Sequence, residues 1–269
     1  MIDNKYTVID AHCHIYPERI AAAAINHTDN FYSLNSNHLG TVSDLIEVGD
    51  RFSVDRFIVQ SLATTPHQVR SINDFISGEV KKYPDRLIGL GTMHPESRDI
   101  AGDLELLIEV GLLGVKLHPD IQDFKCDDYR LLKIYELCEK KNIPILIHAG
   151  DSRYDNSNPN RLLPIVKTYE GLTFVAAHLG GWSVWREAAE KLAGLKNLYV
   201  DSSSSLPFMT SKNAKECILA FGTDRVLFGT DYPMWSADDE IKRLLKFGFT
   251  EEEYQNIFSK NAIRAFGIK

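Results

Sequence analysis

Eight strand-type segments alternating with about eight helical ones over 269 residues predict a single (β/α)8 barrel, a TIM barrel spanning residues 1–269. Two further observations favour this over an open doubly wound sheet. No glycine-rich phosphate loop follows the first strand, where a nucleotide-binding sheet would carry one. Polar residues, histidines above all, stand where one apolar strand after another runs out.

The first strand is Tyr6–Ile15, rich in β-branched residues, and residues 16–38 are expected to be irregular because Asn, Ser and His crowd them. Helix signals return at Thr41–Phe52. Strands Arg56–Ser61, Leu87–His94 and Gly114–His118 follow, separated by helices over about Gln68–Lys82, stopped by Tyr83-Pro84, and Ile100–Val110. A helix near Asp128–Lys141 shows Leu131, Ile134, Tyr135 and Cys138 at helical spacing. Strands Ile143–His148, Leu172–His178, Leu198–Ser202 and Arg225–Asp231 then alternate with helices Asn160–Tyr169, Ser183–Ala193 and Ser211–Phe221. Two or three short helices fill Asp238–Lys269.

Composition limits the function classes. With 44% hydrophobic and 25% charged residues, the chain has ample material for a core. A net charge of −7 and a pI near 5.7 argue against a nucleic-acid partner, which calls for a basic face. No apolar run approaches the roughly 20 residues of a membrane span. The start of the chain lacks a basic stretch followed by an apolar one, so no signal peptide is expected. Cys13, Cys126, Cys138 and Cys217 are scattered without CxxC spacing, which predicts reduced thiols in a cytoplasmic protein rather than a zinc ribbon.

Asp10-Ala-His12-Cys-His14 is the most informative string. Strand side chains alternate, so Asp10, His12 and His14 are expected on one face, with Ile9, Ala11 and Cys13 on the other. Two imidazoles spaced this way can bite one metal ion. Alone the pattern is weak, since a polar edge strand would show it too. It gains force because Gln60, His94, Lys116, His118, His148, His178, Asp201 and Asp231 also end strands, and in a barrel those ends share the face that holds the active site. Side by side, they predict a metal-dependent enzyme.

Asp-x-His-x-His on strand one, a strand-four lysine, histidines on strands five and six and a strand-eight aspartate resemble the amidohydrolase superfamily. The strings Gly114-Val-Lys-Leu-His-Pro119, Ile147-His-Ala-Gly150, Ala177-His-Leu-Gly-Gly181 and Phe228-Gly-Thr-Asp-Tyr-Pro233 are most similar to its aminocarboxymuconate-semialdehyde-decarboxylase-like branch, also called amidohydrolase 2. The resemblance runs from Asp10 to about Ala262. It implies that His12, His14, His148 and Asp231 ligate the metal, that His178 is catalytic, and that Asp231 also accepts a proton. Asp10 is expected to orient a ligand histidine. One Zn2+ is expected, with Mn2+ left open; neutral imidazoles plus a carboxylate suit zinc, which lowers the pKa of bound water to about 7. A carbamylated Lys116 would bridge two metals and make His178 a ligand of the second; otherwise Lys116 and His118 are substrate contacts.

The expected reaction is attack of metal-bound hydroxide on an amide, ester or lactone carbonyl of a small, carboxylated substrate. The alternative is non-oxidative decarboxylation of an aromatic or unsaturated acid on the same site. A homodimer is compatible with the resemblance. His94 is read either as a pocket residue or as a turn cap, Arg153 as a surface arginine or a carboxylate anchor, and Trp182 as packing or a pocket wall. His27 and His38 are not expected to be ligands, and residues 16–38 are read as a lid-forming loop.

Overall fold

The computed structural model describes residues 5–269; residues 1–4 of the expected domain lie outside the described residues. Its centre is eight strands: β1 (Ile9–His14), β2 (Arg56–Gln60), β3 (Leu87–Thr92), β4 (Gly114–Leu117), β5 (Ile145–Ile147), β6 (Phe174–Ala176), β7 (Leu198–Asp201) and β8 (Val226–Leu227). Neighbours in the sequence are neighbours in the sheet, and all pairs are parallel. Just past β8 the ring is joined. Ala11 N–H donates to Phe228 O at 2.9 Å, His14 N–H donates to Tyr232 O at 2.6 Å, and Cys13 bridges to Tyr232.

The strands form because their residues are apolar on both faces, as a sheet covered by helices requires. Around them lie α1 (Glu18–Tyr32), α2 (Val42–Phe52), α3 (Val69–Lys82), α4 (Ile100–Glu109), α5 (Pro119–Gln122) and α6 (Tyr129–Lys141). The second half adds α7 (Pro159–Thr168), α8 (Trp185–Leu192), α9 (Ser211–Phe221), α10 (Ala237–Leu245), α11 (Glu251–Gln255) and α12 (Asn261–Phe266), with one π-helical turn at Asn256–Lys260. Close approach of α3 and α4 to β3 depends on two glycines. A Cβ at Gly89 would run into Leu112, Ile76 and Val80, and one at Gly91 into Leu107. No helix among the described residues is long and apolar enough to cross a membrane.

The core has two layers. The larger lies between strands and helices and includes Phe57, Val59, Val115, Leu117 and Ile147. The smaller contains Ile9, Ala11, Ile58, Leu90, Leu146, Val175 and Leu227, together with Ala262, Ala265 and Phe266 of α12. Residues of so many strands can meet only inside the barrel, so α12 closes its lower end.

Two expectations need correction. Residues 16–38 are not irregular: they contain the 15-residue α1. Its only buried residue is Ala21, so it lies over the barrel and is not packed into the core. The simple alternation expected for β1 also fails. The register with β2 shifts between Asp10 and Cys13. Ile9 and Ala11 face the barrel interior, and the shift then brings His12 and His14 inward and Cys13 outward to the helix layer. Asp10 does not share the histidines' face.

Glu240 of α10 is 1% exposed, and neither carboxylate oxygen has a hydrogen-bond partner. Burial pushes it up to about 8, and Arg243, with Nε 3.2 Å away, offsets only part of this. The folded state then keeps a proton that the unfolded chain releases near 4.5. Stability should therefore fall as pH rises from about 4.5 to about 8 and level off above, by an amount on the order of a few kcal/mol. Denaturant midpoints measured across that window should decline more steeply for the parent protein than for Glu240→Gln; equal slopes would show that Glu240 is ionised in the folded state.

Candidate metal centre

His12 and His14 end β1, and the join to the last strand sets Asp231 beside them. His12 Nε2 lies 3.2 Å from His14 Nε2, and Asp231 Oδ1 lies 3.3 Å and 3.5 Å from those two nitrogens. All three residues line a central cavity of about 40 Å3 at the upper end of the barrel, with Lys116, His118 and His178. Lys116 is fully buried, and its Nζ is 3.1 Å from His12 Nε2. Burial pushes the Lys116 ammonium down to about 8.

The fourth expected ligand stands one imidazole further away. His148 is not in the tight group of His12, His14 and Asp231; its Nδ1 meets His178 Nε2 at 3.0 Å. The cause is how its other nitrogen is held. His148 Nε2 is 2.9 Å from Gly150 O and 3.4 Å from Asp120 Oδ2.

Proton positions follow from neighbours that can only accept. Gly150 O requires the proton of His148 on Nε2, leaving Nδ1 bare. His178 Nδ1 is 3.0 Å from Ser203 O, which places its proton there and leaves Nε2 bare. His12 Nδ1 donates to Asp201 Oδ2 at 2.9 Å, so His12 Nε2 is bare as well. Two bare nitrogens 3.0 Å apart repel each other unless one of them holds a cation or gains a proton. Burial opposes the added proton: it drives His14 and His148 well below the ordinary imidazole range and His178 down to about 4. Inward lone pairs, outward protons and an adjacent carboxylate are the donor set of a divalent cation.

The carboxylates reinforce this. Burial alone would raise Asp231, but His12, His178 and His14 outweigh it and hold the group below the usual range. Its Oδ2 accepts from Ser204 Oγ at 2.6 Å. Asp201 is likewise held well below the usual range, burial being overcome first by His12. Asp201 Oδ1 accepts from the backbone N–H groups of His178 and Ser203 and from the Ser203 hydroxyl, which also lies 2.9 Å from His178 Nδ1. His178 and Asp231 adopt left-handed backbone conformations, with φ of 59° and 61°. For such residues this costs on the order of 1 kcal/mol and survives only where the surroundings enforce it.

Asp10 was expected to orient a ligand imidazole, and it does not touch one. It accepts from His12 N–H at 3.1 Å, Thr230 N–H at 3.0 Å and Thr230 Oγ1 at 2.6 Å, riveting β1 to the segment after β8. Burial raises it to about 6. The carboxylate on the His12 ring is Asp201, which ends β7 and was visible as a strand-end residue. Asp120 was not singled out, although it stands two residues past His118; its Oδ1 is buried and unpartnered. Tyr32 was hidden in the segment read as irregular, and its hydroxyl meets His118 Nε2 at 2.8 Å. His118 Nδ1 caps α5 by accepting from Ile121 N–H, and its ring stacks on His148 with centroids 3.9 Å apart.

The remaining candidates are also placed. His94 caps a turn by accepting from Glu96 N–H at 3.2 Å. Arg153 is bidentate to Asp151 and donates to Phe31 O at 2.7 Å, clasping the end of α1 to the loop after β5. Trp182 walls a small cleft beside His148, His178 and Asp231.

Fold and site together define a metal-binding enzyme of the TIM-barrel type. The chain belongs to the amidohydrolase 2 family: a family model described as Amidohydrolase matches residues 9–268. Among curated proteins it is 23% identical over 238 residues to 2-amino-3-carboxymuconate-6-semialdehyde decarboxylase of Dictyostelium discoideum, covering 73% of this chain and 66%, just under two thirds, of that protein. It is 22% identical over 250 residues to gamma-resorcylate decarboxylase of Polaromonas sp. strain JS666, covering 74% and 76%. Similar folds include an uncharacterised TIM-barrel protein of Bordetella bronchiseptica (TM-score 0.80, 18% identity, 97% and 98% covered). Another is dihydroxybenzoic acid decarboxylase of Polaromonas sp. JS666 with bound manganese and 2-nitroresorcinol (TM-score 0.74, 16% identity, 98% and 97% covered).

Asp201→Asn should weaken divalent-metal affinity roughly 10–100-fold, because the His12 ring loses its anchor. Asp10→Asn should leave affinity within a few-fold and instead lower stability by roughly 1–3 kcal/mol. Competition titration against a metal-binding dye, run beside denaturant melts, separates the two; equal losses of affinity would mean that Asp10 also governs the ligand geometry.

Proposed function

We propose that this chain is a metal-dependent, non-oxidative decarboxylase of an aromatic or unsaturated carboxylic acid. The observation that carries the reading is the match to two decarboxylases over 73% and 74% of the chain. It favours decarboxylation, the alternative read from the sequence, over hydrolysis of an amide, ester or lactone.

His12, His14, His148 and Asp231 would hold the divalent ion, and both zinc and manganese suit two or three imidazoles with a carboxylate. When bound, the ion supplies a Lewis acid that draws electron density from substrate oxygens. The rest falls to the protein's own side chains. Lys116, buried and cationic beside His12, anchors an anionic oxygen of the substrate and remains unmodified at a site of one metal. His118 and Tyr32, hydrogen-bonded to each other, wall the cavity opposite. The reaction breaks the bond between the substrate carbon and its carboxylate, leaves the electron pair on that carbon, and adds one proton there as carbon dioxide departs. His178 is the residue to move that proton. Its Nε2 is bare, and its Nδ1 proton is tied to Ser203, so a second proton taken up at Nε2 is held weakly and given up readily. Asp231 keeps the adjacent charge balance. Four buried, unbridged cysteines fit a reducing compartment such as the cytoplasm.

Protein purified without chelator should contain about one divalent ion per chain and release carbon dioxide from 2,6-dihydroxybenzoate or a related acid. Chelation should abolish release, and Mn2+ or Zn2+ should restore it. His178→Gln should keep the metal yet lose roughly 10²–10⁴-fold in kcat. Release of carbon dioxide can be followed in a coupled assay beside a lactone and amide panel; hydrolysis of the panel with no decarboxylation of any acid would overturn the reading.

A further inference from the structure

A groove of about 690 Å3 lies on the outer side of α1, between it and α3. Helices α1 and α3 form its two sides. Here α1 turns Ile20, Ala23, Ala24 and His27 towards the groove, and α3 turns Ser71, Ile72 and Phe75. Both sets repeat at helical spacing, so each helix presents one continuous face to the gap. Alanines on α1 and a serine on α3 are too short to fill it. Ile20 is left 45% exposed.

The groove and the central cavity are bordered by the same four side chains: Tyr16, Thr28, Leu62 and Ile121. A single layer of side chains therefore separates them. The two spaces differ sharply in size. The cavity, at about 40 Å3, holds a few water molecules or a carboxylate head. The groove has the volume of a small-molecule site. It is walled chiefly by apolar groups, and Arg19 and His27 on its rim are exposed.

We infer that the groove is a substrate subsite: the carboxylate head enters the cavity, and an apolar substituent passes between Tyr16 and Leu62 to lie between α1 and α3. The substrate class is then a carboxylic acid carrying an extended apolar tail or second ring. This rests on the carboxylic-acid reading of the site proposed above. Specificity for the tail resides in Ala23, Ala24, Ile72 and Phe75, none of which approaches the metal ligands.

The test uses metal-loaded protein and a series of 2-hydroxybenzoates bearing 4-alkyl chains from methyl to hexyl, with affinity read by calorimetry. In the parent protein each added methylene should tighten binding about fourfold until the groove is full. Ala23→Trp, which plugs the groove from α1, should remove that gain while leaving the unsubstituted acid within about twofold. Ser71→Trp does the same from the facing helix and guards against a folding defect in the first variant. A flat series in the parent protein overturns the inference, as does a gain that survives both tryptophans. A dimer that either tryptophan converts to monomer, together with a flat series, assigns the groove to a second copy of the chain and also overturns it. The carboxylate-free probe 4-hexylphenol separates the two layers of the argument. If it binds in a manner abolished by Ala23→Trp while no acid releases carbon dioxide, the groove stands and the decarboxylase reading falls.

Discussion

Everything in the site depends on the join between the first strand and the last. Asp10 grips the backbone of His12 on one side and both the N–H and hydroxyl of Thr230 on the other. Because β1 pairs with the chain after β8 at Ala11–Phe228 and His14–Tyr232, with Asp10 bracing the join, Asp231 arrives beside His12 and His14 although 217 or more positions separate them in the chain (231 minus 14). The register shift in β1 is part of the same device. Without it Ala11 and His12 could not both face inward, and both histidines would be turned towards the helices. A carboxylate raised to about 6 by burial is the cost of placing that rivet beneath the helix layer.

The second constraint is electrostatic. Four imidazoles, a lysine and two strand-end aspartates are packed where water is scarce, and each buried polar group needs a partner. The solution is directional. His12, His148 and His178 each send a proton outward, to Asp201, Gly150 O and Ser203 O, and each leaves a lone pair facing inward. The left-handed backbone at His178 and Asp231 belongs to this arrangement, since both residues sit at strand exits where the chain must turn sharply while the side chain stays in the cavity. A network so biased towards inward acceptors is poorly satisfied by protein alone, which is the physical reason to regard it as a cation site.

The barrel was legible because buried parallel strands read as short apolar runs, and the histidines were legible because each interrupts such a run at its end. The β1 bulge was not, because no glycine or proline marks it and the phase change lies in pairing with β2. α1 was missed for a different reason. It covers the mouth rather than a core face, and the polar run Asn26–Asn30 outweighed the strong local helix signal of Ala21–Ala24. The roles of Asp120 and Asp201 depend on contacts with residues 28 and 189 positions away, His148 and His12, and such pairings leave no local pattern. The motif resemblance named the ligands' residue types, and Asp10 was expected to hold a ligand ring where the structure has Asp201.

The placement of α1 also bears on which chemistry the site suits. Hydrolysis consumes a water that must be delivered to the substrate carbonyl, whereas loss of carbon dioxide needs one proton and no water. A cavity of about 40 Å3, roofed by Tyr16, Ile25 and Met234 and latched by the Tyr32–His118 hydrogen bond, admits few waters once a carboxylate occupies it. A carboxylate taken into such a space loses hydration, while the carbon dioxide it becomes is neutral and loses little. On the decarboxylase reading the ground state is thereby raised relative to the product, and Lys116 would keep the anion from being rejected outright. The helix that the sequence disguised as a loop thus roofs the cavity at its inner face and, at its outer face, borders the groove inferred to take the rest of the substrate. Side chains on the outer face of α1 can then change without touching His12, His14, His148 or Asp231.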